Sequence, residues 1–93
     1  MVLNVEELLN QKKELSDKIH ESQLKLIQYK ADKRVAKAPL WKSAEGTVDA
    51  KKDWINAELN DYITKIEKEE NNIERYRREL SIIDDKLEYL TNV

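Results

Sequence analysis

The sequence predicts an all-α protein: an antiparallel two-helix hairpin of coiled-coil character that self-associates into a dimer or helical bundle. Three observations carry that prediction. Of 93 residues, 40% are apolar and 39% charged, with one Gly, one Pro and no Phe, which suits long amphipathic helices and leaves too few turn residues for a sheet. From Val48 to Leu90, seam positions recur in alternating steps of four and three, the rhythm in which every knob faces a partner helix. Pro39 and Gly46 fall within one short stretch, so the chain has one place to reverse.

The first helix is predicted over about 5–37. Asn4 is a good N-cap, Glu7 sits where a capping box needs it, and Leu3 with Leu8 suits a hydrophobic staple. Its seam runs Val5, Leu8, Lys12, Leu15, Ile19, Ser22, Leu26, Tyr29, Lys33, Ala36. Pro39 lacks the N–H a helix interior requires and pushes Ala38 out of helical geometry, so the helix should end near Lys37. A loop over 38–46 follows. The second helix is predicted over about 47–90 as one unbroken rod, opened by Thr47 with Asp49 in its first turn.

Folding the seams back on each other puts residues whose numbers sum to about 84 in the same layer, as a short connection implies. Leu8 then meets Tyr76, small Ser22 meets bulky Tyr62, and the seam charges Lys12 and Glu69 pair. Helix 2 overhangs in this register. Leu80, Ile83, Leu87 and Leu90 become an oligomer seam, and Leu9, Ile27 and Ile63 lie outside the narrow stripe. One stripe per helix is a thin core for a chain this size, so a homo-oligomer or a protein partner should complete it.

A single domain over 1–93 is expected. No cysteine is present, which excludes disulfides, thiolate metal sites and thiol catalysis. The start, Met1 to Glu7, has no basic segment followed by an apolar run, so no signal peptide is expected. No stretch approaches the ~20 apolar residues of a membrane span. A cytoplasmic protein without membrane attachment follows as the expectation.

Catalytic chemistry finds no purchase. His20 is the lone histidine and follows seam residue Ile19, so it should point outward and not join Asp17 and Glu21 around a metal. Glu69 and Glu70 are adjacent on a helix and diverge by ~100°, too far to share a proton. No nucleophile has a neighbouring base and no Gly-rich phosphate loop exists, so neither enzyme activity nor a cofactor nor a metal is expected.

The loop end is more informative. Lys25, Lys30, Lys33, Arg34, Lys37, Lys42, Lys51 and Lys52 gather there against Asp32, Glu45, Asp49 and Asp53, eight cations to four acids, a local net of +4. Trp41 and Trp54 add aromatic faces, and cations with aromatics can hold single-stranded nucleic acid through phosphates and stacked bases. The plainer alternative has Trp41 plugging the helix ends beside Trp54, with the lysines merely solvated. Arg75, Arg77 and Arg78 are offset by Glu74 and Glu79, which reads as surface pairing.

The run Tyr29-Lys-Ala-Asp-Lys-Arg-Val-Ala-Lys-Ala-Pro-Leu40, followed by the stretch from Glu45-Gly-Thr-Val to Trp54-Ile55, resembles small helical proteins of tailed-phage early replication and recombination regions. That resemblance implies two long charged helices and an accessory or inhibitory role toward replication, recombination or defence machinery, in the host cytoplasm. The expected function is a non-enzymatic protein-interaction module. Its contact surface would be the loop end at Pro39, Leu40, Trp41 and Trp54, or the overhang of helix 2. The alternative is a nucleic-acid-binding accessory using Lys30, Lys33, Arg34, Lys37, Lys42 and Lys51.

Overall fold

A computed structural model describes residues 4–91, and among these the only regular structure is helical. Helix α1 spans Val5–Ser43, α2 spans Val48–Glu58 and α3 spans Asn60–Thr91. Asn4 opens α1 from extended backbone, its side-chain oxygen accepting from the Glu6 N–H at 2.8 Å. The bond therefore goes one residue earlier than the Glu7 N–H of a capping box. Leu3, the expected staple residue, lies outside the described residues.

Helix α1 does not end near Lys37. It carries Pro39 within it and brings Leu40 and Trp41 into its last turn, so the expected loop over 38–46 shrinks to residues 44–47. A proline this close to a C-terminus removes one hydrogen bond, the one to the Val35 carbonyl, and that residue faces solvent where water can satisfy it. The following turn closes normally, with the Ala44 N–H on the Leu40 carbonyl at 2.9 Å and the Ser43 hydroxyl donating to the Pro39 carbonyl at 3.3 Å. Gly46 then takes φ +100, the left-handed conformation that reverses the chain. Thr47 caps α2 by accepting from the Ala50 N–H at 3.2 Å.

The expected single second helix is two. At Leu59 the backbone opens to φ −92, ψ 5, while α-type bonds on either side persist, Leu59 N–H to Ile55 at 2.9 Å and Ile63 N–H to Leu59 at 3.1 Å. Asn60 and Asp61 follow, both residue types whose short polar side chains compete with the helical backbone and favour helix starts. The junction bends without separating, and Ile55 and Leu59 beside it are the most deeply buried large side chains.

Helix α1 runs against α3 in the opposite direction. Lys12 Nζ lies 2.8 Å from Asp84 Oδ1, Lys18 lies 5.8 Å from the Tyr76 ring centroid and Lys65 lies 5.7 Å from that of Tyr29. The paired numbers sum to between 94 and 96, not about 84. Extending α1 through Pro39 moved the point of reversal toward the C-terminus, and the register moved with it. Two expectations fall with the old register. Lys12 pairs with Asp84, not with Glu69, and Ser22 comes to the layer of Ile73, not of Tyr62.

The overhang also disappears. Leu8, Leu15 and Ile83 form a buried cluster, and Tyr76, Leu80, Leu87 and Leu90 pack against it. The proposed oligomer seam is therefore an intramolecular core, covered by the start of α1. The result is a rod of 67 × 19 × 19 Å with a radius of gyration of 20.3 Å, against about 12 Å for a compact chain of this length.

Candidate functional site

Along one side of the rod, α1 and the two following helices leave a groove made of three adjoining open hollows. Its central part, of about 430 Å³, is lined from α1 by Lys30, Lys33, Arg34 and Lys37, and from α3 by Ile66 and Glu70. Lys37 also borders the next concavity, where Trp41 faces Lys52, Ile55 and Asn56. Glu70 borders the concavity on the other side, of about 520 Å³, where Leu26 and Ile73 form an apolar floor beside Arg77 and Arg78. The side chains at 30, 34, 37 and 41 share this flank because steps of three and four keep residues on one helical face.

Among the described residues, only Arg78 of the groove's cations makes an ion pair, with Glu74 at 3.9 Å. Seven cations and two acids, Glu70 and Glu74, leave the groove a net +5. Asp32, which the sequence sets among the lysines, is held instead by the Gln28 amide at 2.8 Å.

The predicted cluster is thus assembled in part. Lys30, Lys33, Arg34 and Lys37 come together, whereas Lys42 and Lys51 line none of these three concavities. Trp41 and Trp54 line different hollows. Trp41 borders the groove from the last turn of α1, while Trp54 borders a separate hollow with Ser43, Ala44 and Glu45. Both indoles keep appreciable exposure, 37% and 41%. Pro39 is exposed and Leu40 half-buried. Arg77 was read with Arg75 and Arg78 as pairing on the surface with Glu74 and Glu79, and only the register brings it into line with the α1 lysines.

A second feature was also missed. The face of α1 turned away from α3 carries Leu24, Ile27, Ala31, Val35 and Ala38, spaced three, four, four, three, all exposed. Leu24, Ile27 and Val35 keep 54%, 65% and 74% of their surface in solvent. The signal was in the sequence as a second periodic set, overshadowed by the longer seam through Leu26, Tyr29 and Lys33.

His20 is exposed, and no group of three His, Asp or Glu side chains among the described residues could hold a metal ion. Glu69, expected to pair with Lys12, is 7% exposed and its Oε2 finds no hydrogen-bond partner. No helix among the described residues is long and apolar enough to cross a membrane. No protein-family model matches the chain, and neither does any curated protein or solved structure.

Proposed function

We propose that the protein is a non-enzymatic interaction module, a coiled-coil hairpin whose first occupant is a second copy of itself, docked on the outer face of α1. The exposed stripe of Leu24, Ile27, Ala31, Val35 and Ala38 carries this reading. A contiguous apolar line is what a helix partner covers, whereas isolated surface leucines would mean little. The stripe is also self-complementary. Two antiparallel copies centred on Ala31 set Leu24 against Ala38 and Ile27 against Val35, large beside small and medium beside medium. Such a two-fold contact is the commonest closed arrangement of identical chains, and the small alanines permit close approach.

The resemblance of the sequence to small helical proteins of tailed-phage early regions suggests a role as an accessory or inhibitory factor acting on replication, recombination or defence proteins. Self-association is the part of this reading that can be tested without knowing a target. Light scattering at micromolar concentration should give twice the 11.0 kDa chain mass, and Ile27→Glu should return the single-chain mass with helicity intact. A monomeric wild-type mass at those concentrations overturns the proposal.

A further inference from the structure

We propose that the groove bordered by Lys30, Arg34, Lys37 and Trp41 is a binding site for single-stranded nucleic acid. From Gln23 to Trp41 the α1 side of the groove extends ~27 Å at 1.5 Å per residue, a length that suits the few-nucleotide footprint of small single-strand sites.

The groove offers the three things a single strand needs. Its rim supplies cations free of ion pairs among the described residues, including Lys30, Lys33, Arg34, Lys37 and Arg77, for consecutive phosphates. Its floor supplies the half-buried Leu26 side chain and the small uncovered edges of Ile66 and Ile73, against which an unstacked base loses water. Its end supplies the Trp41 indole, partly exposed and flanked by Lys37 and Lys52, where a base can stack next to its own phosphate. Glu70, the carboxylate at the centre, repels phosphate, but it can accept from the exocyclic amine of cytosine or adenine. Duplex DNA fits less well, because its paired bases cannot enter a cleft between two helices and its phosphates would meet only one rim. A purely acidic peptide would use the cations but neither the apolar floor nor the stacking face.

The test titrates the full chain into a fluorescein-labelled oligothymidylate and a mixed-sequence single strand, followed by anisotropy at several salt concentrations. The proposal expects saturable binding whose affinity falls with salt at a log–log slope of about −3, as four or five neutralised phosphates of a single strand require. Replacing Lys30, Arg34 and Lys37 together by Ala should weaken binding at least ~10-fold at low salt, with the helical circular dichroism unchanged. Trp41→Ala should weaken it several-fold, and binding to the wild type should quench Trp fluorescence. Lys42 and Lys51, outside the groove, serve as the control pair, and their replacement by Ala should leave affinity within about twofold. A flat titration at low salt overturns the proposal. So does an equal loss from the control pair, which would mean diffuse charge attraction. Equal or tighter binding of duplex, or of polyglutamate, would also overturn it, the latter assigning the groove to acidic protein segments.

Discussion

At the scale of single residues, Glu69 is the costly position. It occupies a seam site where the flanking layers hold Ile66 and Ile73, and its Oε2 is buried without a donor. Leaving a polar atom unsatisfied costs about 1–3 kcal/mol, while replacing it by an apolar group of similar shape removes that cost and adds contacts. Glu69→Leu is therefore expected to stabilise the fold by ~1–2 kcal/mol, raising the thermal midpoint by several degrees. An unchanged or lowered midpoint by circular dichroism would show that Glu69 has a partner in solution. The sequence showed that Glu69 and Lys12 were charges in an apolar rhythm, and it suggested pairing them. It could not show that Lys12 reaches Asp84 instead, since that depends on where the chain turns and not on either residue.

At the scale of elements, Pro39 and Leu59 reverse the roles that local preference assigns. Proline was expected to stop α1, and the apolar rhythm was expected to keep the second helix whole. In the structure the helix passes through Pro39, because one lost bond near a solvated C-terminus costs less than releasing the turn that half-buries Leu40 and places Trp41 at the hollow it shares with Ile55. Pro39→Ala restores the N–H to the Val35 carbonyl and relieves the ring's clash with it. The gain is offset by the unfolded-state freedom that alanine regains, about 0.4–1 kcal/mol. A net stabilisation of about 1 kcal/mol is expected, seen as a higher urea midpoint with an unchanged m-value. A lower midpoint would mean that the proline shapes the turn. The break at Leu59 was legible only in Asn60-Asp61, a pair of helix-start residues that an uninterrupted seam outweighs. Seam periodicity reports which face is buried, and a bend that keeps the same face inward leaves it untouched.

At the scale of the whole molecule, the helical class, the antiparallel direction and the presence of one main reversal were readable, because long-period amphipathicity and one turn-forming stretch suffice for them. The register was not. An error of six residues in the end of α1 shifted every cross-helix pair and turned Leu80, Ile83, Leu87 and Leu90 from a surface into a core. What the corrected register leaves outside is the α1 stripe and the basic groove along its flank, and their arrangement couples the two proposals. A two-fold, antiparallel pairing through the stripe keeps each flank against its own copy. Lys30 and Arg34 of one chain would then face the same side chains of the other. That repulsion opposes the dimer and is screened by salt. A single-stranded oligonucleotide lying along both flanks neutralises it, so anion binding and dimerisation should favour each other by the same factor.

Sedimentation velocity can read this linkage. Without nucleic acid, raising salt should strengthen the dimer. With a labelled oligothymidylate, the dimer should form at several-fold lower protein concentration at low salt, and raising salt should weaken it. Ile27→Glu should lower oligonucleotide affinity by the factor through which the oligonucleotide strengthens the wild-type dimer. Equal affinity of the wild type and Ile27→Glu would break the linkage. The groove would then act within each chain alone, and the dimer contact would have to lie where the basic flanks do not meet.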